Sequence, residues 1–310
     1  MVKRKGLSKI GIGTWGVGGF AERNPNNNDK KQILSLVRML KRGMNYIELN
    51  VWTARGYSVE LVSRAVKQSR VSRGNLFLSQ AIYSYTAPTL ETAKNELETV
   101  LKLFDTNYID SLSLNEAAIS TIGKEVVYVW YEELLSTEKI RYINLNNPSL
   151  KTLKEAKKRF RDKLFSIEVG FNFEVRENEE NGIINFATKN DVLCVIYQPL
   201  RRNRTANRNW PLLVELSEKY NKSQNQVLLN WIISKGYLPL TKSETVAHID
   251  EHLNSTSFIL DPTDLEKLNK FCPPNYQKPK VYWGVAGEGV RIDQLSNTFD
   301  DLCPPTNNNP

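Results

Sequence analysis

The chain has 310 residues, of which 40% are hydrophobic, and a formal net charge of +8, a composition typical of a globular protein. It contains no run near the roughly 18 apolar residues of a membrane span, and its basic start lacks the apolar run of a signal peptide. The 3 cysteines are far apart, which excludes a disulfide framework or a cysteine zinc site. These features predict a cytoplasmic protein with no membrane partner, and the charge favours anionic partners.

Short apolar runs alternate with longer amphipathic patterns along the chain. The strand-like runs are residues 9–15, 46–50, 76–82, 108–114, 140–145, 165–169, 192–197 and 237–241. The helical patterns are residues 29–42, 58–68, 89–103, 122–135, 149–160, 183–188, 210–220, 223–233 and 246–253. Strand and helix alternate without a linker, and no G-x-G-x-x-G follows an early strand, so a closed (β/α)8 TIM barrel is favoured over a Rossmann fold.

The pattern predicts one barrel domain over residues 1–272. From Pro274 onward the composition changes, and residues 273–310 are predicted to form an irregular tail with a disordered end. Tyr282 and Trp283 of this tail would cover a barrel mouth or pack along the outside of the barrel.

Polar residues stand at the carboxyl end of each predicted strand from the second onward. Because these ends line the active site of such barrels, they predict a polar pocket. They are Glu48, Asn50, Gln80, Asn115, Glu116, Asn144, Asn146, Asn147, Glu168, Asn172, Gln198, Lys242 and Ser243.

Two basic features follow the last two strands. Lys242 and Ser243 at a helix start suit a phosphate, although an ordinary Ser cap beside a surface Lys explains them equally well. His248 and His252 share a helix face without a third ligand, so we expect no metal there. The arginine-rich loop of residues 201–208 would clamp a pyrophosphate, contact nucleic acid or stay solvated, and the sequence leaves these three alternatives open.

Seven motifs follow one another in order along these elements. They are KIGIGTWGVGG, GMNYIELNVWTARGYSVELVSRAV, TNYIDSLSLNEA, EKIRYINLNNPS, VGFNF, VIYQPL and LPLTKSETVAHIDEHL. Together they resemble the aldo-keto reductase family, whose second strand reads G-x-x-x-I-D-T-A-x-x-Y-G and whose fifth reads G-K-I-R-x-I-G-V-S-N. The resemblance spans residues 9–271 and implies an aldo-keto-reductase-type barrel that acts as an NAD(P)(H)-dependent oxidoreductase.

The resemblance also assigns four catalytic positions, and each carries a substitution. In the family a Tyr donates a proton to the carbonyl, a Lys paired with an Asp lowers the pKa of that Tyr, and a His orients the substrate. The Asp and Tyr positions are Glu48 and Thr53, and the Lys and His positions are Gln80 and Asn115. An aliphatic hydroxyl cannot replace a phenol as the acid, so ordinary carbonyl reduction is expected to be impaired. Tyr57 is a weaker candidate for a substitute acid.

The cofactor positions are partly retained. The resemblance implies that Tyr197 stacks on the nicotinamide and that three residues bind its carboxamide: Asn146, Asn147 and Glu168. Four residues would bind the 2′-phosphate and adenine: Lys242, Ser243, His248 and His252. NADP(H) is therefore the expected cofactor, if one binds.

Three functions remain open at this point. The first is an oxidoreductase with altered chemistry, and the second is a catalytically inactive barrel, or pseudoenzyme, that binds a nucleotide or small ligand. The third is an interaction module that uses the loop of residues 201–208. Nucleic acid is the least favoured partner, and the site rather than the fold must decide among them.

Overall fold

A computed structural model describes residues 6–272, so the predicted tail of residues 273–310 lies outside the described residues. Eight parallel strands form a closed barrel in sequence order, with the first paired to the last. They are β1 Gly11–Ile12, β2 Tyr46–Asn50, β3 Phe77–Ile82, β4 Ile109–Asn115, β5 Ile140–Asn146, β6 Leu164–Gly170, β7 Leu193–Tyr197 and β8 Leu238–Thr241. The predicted (β/α)8 fold is confirmed.

Helices surround the barrel. They are α1 Asp29–Lys41, α2 Tyr57–Ser69, α3 Leu90–Phe104, α4 Glu116–Ile122, α5 Lys124–Ser136, α6 Leu150–Phe160, α7 Glu177–Glu180, α8 Ile183–Lys189, α9 Arg204–Asn207, α10 Pro211–Tyr220, α11 Gln224–Ser234, α12 Val246–Asn254 and α13 Pro262–Lys270. The helix predicted over residues 122–135 is two helices, because Gly123 at φ 104° separates α4 from α5. Within residues 6–272, no helix is long and apolar enough to cross a membrane.

The barrel interior is filled at the amino ends of the strands. The rings of Tyr46, Phe77 and Phe165 stack there with centroids 5.1 and 5.0 Å apart. They form an inner cluster with Leu193, Val195, Leu238 and Leu240. A larger outer cluster lies between the strands and the helices. Among residues 6–272, these side chains fill the amino end of the barrel, so the space for a ligand lies at the carboxyl end.

Alternation along β2 shows how the strands divide between the two clusters. Tyr46 belongs to the inner cluster, whereas Ile47 and Leu49 belong to the outer one. Glu48 and Asn50 therefore point inward above Tyr46, as the two-residue period of a strand requires.

Candidate functional site

A cavity of about 560 Å³ opens at the carboxyl ends of the strands. The residues that line this cavity form two groups, an acidic end and a basic end. The acidic end is defined by Glu48, Asn50, Trp52, Tyr83, Tyr85, Asn115, Asn146, Asn147, Glu168 and Tyr197. The basic end is defined by Trp15, Phe20, Arg201, Arg202, Lys242, Ser243, His248 and His252. Most of the polar residues predicted at the strand ends therefore lie around one cavity.

Glu48 lies at the acidic end with only 4% of its surface exposed. Its carboxylate accepts hydrogen bonds from the backbone N and Oγ1 of Thr14, at 3.2 and 3.3 Å, and from Asn50 Nδ2 at 2.7 Å. Burial raises the pKa of Glu48, and these hydrogen bonds act in the opposite direction. The carboxyl group is thus fixed in orientation but is poorly stabilised as an anion.

Glu168 faces the same space from β6 and is 3% exposed. Burial, and then the charge of Glu48, raise the pKa of Glu168 well above its usual range, while Asn144 acts in the opposite direction. Among residues 6–272, Glu168 Oε2 has no hydrogen-bond partner, and neither has Nδ2 of Asn146, the residue paired with Glu168 on β5. Two neighbouring buried polar atoms, one acceptor and one donor, are therefore left for a ligand.

The Tyr197 ring is held in place beside these atoms. Its hydroxyl donates to Asn147 Oδ1 at 2.8 Å, and Asn147 Nδ2 donates to Asn146 Oδ1 at 3.0 Å. A Cβ atom at Gly170 would lie 3.1–3.2 Å from the ring atoms of Tyr197, so the glycine leaves room for the ring. The arrangement presents an oriented aromatic ring next to the two unpartnered atoms.

Thr53 and Asn115 are both occupied by local hydrogen bonds. Thr53 is fully buried, does not line the cavity, and donates its N and Oγ1 to Asn50 Oδ1 at 2.8 and 2.7 Å. Asn115 lines the cavity, but its Oδ1 caps α4 by accepting from the backbone N of Ala118 at 2.9 Å, and it also accepts from the backbone N of Ser84 at 3.2 Å.

Gln80 does not lie in the cavity, which corrects the sequence expectation. Its Cα pairs with those of Leu49 and Leu112, both in the outer cluster, so its side chain faces the helices. There it is fully buried, with no hydrogen-bond partner among the described residues. The inward position at this level is Ala81, paired with Asn50 on β2. A shift of one residue in the sequence comparison reverses the face of a strand.

Tyr57 is also placed away from the cavity. Its hydroxyl donates to Asp29 Oδ2 and accepts from Arg23 at 3.1 Å. The hydroxyl is therefore committed to the surface between α1 and α2, and the hypothesis that Tyr57 supplies a substitute acid loses its geometric basis.

At the basic end, Lys242 reaches across to the loop after β1. Its Nζ donates to the carbonyl oxygen of Gly16 at 3.0 Å and lies 3.6 Å from Glu244 Oε1. Burial lowers the pKa of Lys242, and Glu244 opposes that shift. Ser243 Oγ accepts from the backbone N of Thr245 at 3.1 Å. The expectation that Lys242 and Ser243 begin a helix is wrong, because α12 begins at Val246, three residues later than Ser243.

The two histidines of α12 differ in environment although both line the cavity. His248 is exposed, whereas His252 is buried, and burial lowers the pKa of His252 to about 4. His252 is therefore neutral at pH 7 and offers a hydrogen bond without charge. Within residues 6–272, no cluster of three His, Cys, Asp or Glu side chains could hold a metal ion.

The arginine-rich loop of residues 201–208 folds over the cavity mouth. Arg201 is 6% exposed and forms an ion pair with Glu174, which also accepts from Trp210 Nε1 at 2.8 Å. The guanidinium of Arg202 lies 4.5 Å from the ring centroid of Trp15. The alternative of a freely solvated loop is therefore wrong for the buried Arg201, whereas Arg202 is exposed, and both line the cavity.

Several aromatic residues of the cavity were missed by sequence reasoning. Tyr83 and Tyr85 stack with ring centroids 5.2 Å apart, and Trp52 meets Tyr85 edge-on at 5.5 Å. They follow β2 and β3 in loops, where neither strand periodicity nor polar strand ends mark them. The only signal was aromatic residues directly after two strands, in the segments VWT and YSY.

The comparisons with known proteins agree with this architecture. The sequence pattern of the Aldo/keto reductase family matches residues 9–272. The chain belongs to the aldo/keto reductase family. Among its relatives, an NADPH-dependent alpha-keto amide reductase of Saccharomyces cerevisiae is 26% identical over 72% of this chain and 73% of its own length. A methylglyoxal reductase of Escherichia coli is 24% identical over 86% of this chain and 92% of its own length.

Solved structures of the aldo/keto reductase family share the barrel. The thermostable aldo-keto reductase Tm1743, solved with the inhibitor epalrestat, superimposes with a TM-score of 0.77 at 26% identity, covering 87% of this chain and 97% of that one. An aldo-keto reductase of Klebsiella pneumoniae solved with NADPH gives a TM-score of 0.72 at 21% identity, covering 88% of this chain and 93% of that one. At that identity, the second likeness concerns the fold alone.

Proposed function

We propose that the cavity binds NADP(H), with the nicotinamide at the acidic end and the phosphates at the basic end. The observation that carries this proposal is the pair of unpartnered buried atoms, Glu168 Oε2 and Asn146 Nδ2, on one wall of the cavity. A carboxamide group has an N–H donor for the first and an oxygen acceptor for the second. The relative named as an NADPH-dependent reductase supports the same cofactor.

The remaining contacts also suit this ligand. Tyr197 would offer its ring to the nicotinamide, in the orientation that Asn147 and Gly170 permit. The ammonium group of Lys242 has three N–H donors, of which Gly16 uses one, so it can still bind a phosphate. Ser243 would add a hydroxyl beside it, while exposed His248 and neutral His252 would contact the phosphate and adenine end.

Bound NADPH would supply a hydride ion at the acidic end. We propose that the usual proton donor of the family is absent there. At its expected position stands Thr53, whose hydroxyl is bonded to Asn50 and does not line the cavity, and Gln80 faces the helices. Ordinary carbonyl reduction would then lack a contribution of about 10²- to 10⁴-fold from general acid catalysis.

A second candidate is a pseudoenzyme that binds the nucleotide without turnover. The same two observations on Thr53 and Gln80 favour it, because they remove the proton donor and its activating partner together. The two candidates differ in one property, which is whether hydride reaches any acceptor at all.

Titration with NADPH, followed by tryptophan fluorescence, tests the proposal, since Trp15 and Trp52 line the cavity. We expect saturable binding that is weakened by Asn146→Ala, with Asn181→Ala on the outer surface as the control. Absence of binding at millimolar NADPH would remove both candidates. If NADPH binds, its oxidation with a panel of reactive aldehydes should be slow, and rates typical of an efficient reductase would contradict the proposed loss of the proton donor.

A further inference from the structure

The acidic end combines two buried carboxyl groups with several aromatic rings. Glu48 and Glu168 face the cavity together with Trp52, Tyr83 and Tyr85. Among residues 6–272, no lysine or arginine forms an ion pair with either carboxyl group. The cationic side chains that line the cavity all come from the basic end. The acidic end is therefore rich in carboxyl groups and aromatic rings, without a cation of its own.

Glu168 is the residue that most strongly indicates a ligand site at the acidic end. Its side chain is 97% buried, since 3% is exposed, and Oε2 has no partner among the described residues. Two buried carboxyl groups without a counter-ion are costly as anions and stay protonated until a positive group lies near them. Because no third carboxylate, histidine or cysteine completes a metal site in residues 6–272, that group is organic.

The aromatic residues define which kind of cation fits. The faces of Trp and Tyr rings attract cations, and cages of such rings bind quaternary ammonium and similar groups. Tyr83 and Tyr85 stack face to face with centroids 5.2 Å apart, and Trp52 meets Tyr85 edge-on at 5.5 Å, so a cation would contact the outer faces of this stack rather than lie between its rings. The Trp15 ring at the other end already carries the guanidinium of Arg202, so it has a partner within the chain.

We propose that the acidic end binds an organic cation and that the substrate reduced in this cavity is an iminium ion rather than a neutral carbonyl compound. The reduction step of this inference rests on the proposed function, because it needs NADPH as the reductant. The binding of the cation does not depend on NADPH. A hydrogen bond from a carboxamide does not neutralise a carboxylate, so Glu168 can serve both ligands.

The chemistry of an iminium ion fits the missing proton donor. Its carbon accepts one hydride ion, a C–H bond forms, and the π electrons of the C=N bond become the lone pair of nitrogen. The product is a neutral amine, the nicotinamide is oxidised by two electrons, and no proton is taken up. A carbonyl compound needs a proton on oxygen as well, which Thr53 is not placed to give. An iminium substrate makes the family's acid unnecessary.

A matched pair of ligands tests the binding step without any cofactor. Benzyltrimethylammonium and its neutral isostere, neopentylbenzene, differ in charge and hardly in shape. We expect calorimetry to show the cation binding at least about tenfold more tightly, the size of one buried cation–π contact or more. Equal affinity of the two compounds would overturn the proposal.

Isosteric variants locate the effect. Glu168→Gln and Glu48→Gln should each lower the preference for the cation, and Tyr85→Leu should lower it while Tyr85→Phe keeps it. Glu133→Gln removes the same charge from an exposed position on α5 and should change nothing. Thermal unfolding shows whether each variant is folded. A preference that survives both glutamine substitutions in folded protein would contradict the assignment to these carboxyl groups.

Proton release provides a second readout. In the free cavity, burial raises the pKa of both Glu48 and Glu168, and a bound cation favours their charged forms. The phenols that face this pair, Tyr46, Tyr83, Tyr85 and Tyr197, have pKa values raised by burial and stay neutral. Binding of the cation should therefore release protons, seen as a dependence of binding heat on the buffer, and should tighten as pH rises.

Turnover completes the test. With NADPH, a cyclic N-methyl iminium salt should be reduced to its amine at least about 100-fold faster than the matching cyclic ketone. If the cation binds but NADPH does not, the proposed function fails and the cation site stands. If NADPH binds but the cation shows no preference, the cation site fails and the cofactor proposal stands. Faster reduction of the ketone would overturn the substrate assignment.

Discussion

The two ends of the cavity differ in whether their charged groups have partners within the chain. At the basic end, each charged group that lines the cavity has a partner in the chain: Lys242 has Gly16 and Glu244, and Arg201 has Glu174. At the acidic end, Glu48 has only neutral donors, and one oxygen of Glu168 has no partner among the described residues.

This contrast indicates what each end can do. A network in which every charged group has a partner holds its loop in position. It can still bind an anion through the N–H donors that its partners leave unused. An unsatisfied buried carboxyl pair is unstable until a donor or a cation arrives, and strongly perturbed groups of this kind mark functional sites. We therefore propose that the basic end provides a rigid frame and that the acidic end determines which ligand binds.

The largest expected effect concerns the proton donor that we propose is missing from the acidic end. Thr53→Tyr with Ala81→Lys restores a phenol at the position that the family resemblance assigns to it, beside Asn50, and places a lysine at the inward position of β3 that pairs with Asn50. We expect aldehyde reduction with NADPH to rise about 100-fold or more, because general acid catalysis contributes roughly 10² to 10⁴. Steady-state rates on one aldehyde measure this, and circular dichroism checks that the buried lysine is tolerated.

The matched control is Thr53→Tyr with Gln80→Lys, since Gln80 faces the helices. This variant should gain little activity and lose stability, because it buries an unpaired charge in the outer cluster. If both double variants gained equally, the assignment of the two faces of β3 would be contradicted.

The contrast between Gln80 and Ala81 also shows how far sequence reasoning reaches. The barrel and its strands were predictable because each strand is apolar, short and followed by an amphipathic helix. Which face of a strand each residue occupies was harder to predict, since a shift of one residue leaves the apolar pattern of a fully buried strand almost unchanged. The aromatic residues Tyr83 and Tyr85 were not predictable, because loop conformation places them.

A second effect tests whether the basic end is a rigid frame. Glu174→Gln removes the anion that Arg201 and Arg208 share, the latter with Nε at 3.3 Å. Leaving a buried cation uncompensated should lower the free energy of unfolding by about 3 kcal/mol, measured by urea denaturation. Glu22→Gln, which breaks the exposed pair with Arg55, should leave the free energy of unfolding nearly unchanged. Similar losses of stability in both variants would show that the buried Glu174 stabilises the loop no more than an exposed ion pair does.

A third effect tests the function of the same end. Lys242→Ala should weaken NADPH binding about tenfold, because it removes a charge-assisted hydrogen bond, and should leave NADH binding nearly unchanged. Fluorescence titrations with both cofactors measure the ratio of the two dissociation constants. Lys222→Ala, which adjoins α10 outside the cavity lining, is the control. Equal weakening of both cofactors would place Lys242 away from the 2′-phosphate.

The smallest effect is the pH dependence of stability that the acidic end imposes. The pKa of Glu168 is raised in the folded protein, so the folded state binds more protons than the unfolded state between the two pKa values. Stability from this group is therefore present below the unfolded pKa and lost as pH rises. Glu168→Gln removes that loss and should stabilise the protein by at least about 1 kcal/mol more at pH 8 than at pH 5. Thermal unfolding at the two pH values, with Glu133→Gln as the control, measures the difference. A destabilisation that is equal at both pH values would mean that Glu168 is already satisfied, and the contrast between the two ends would then disappear.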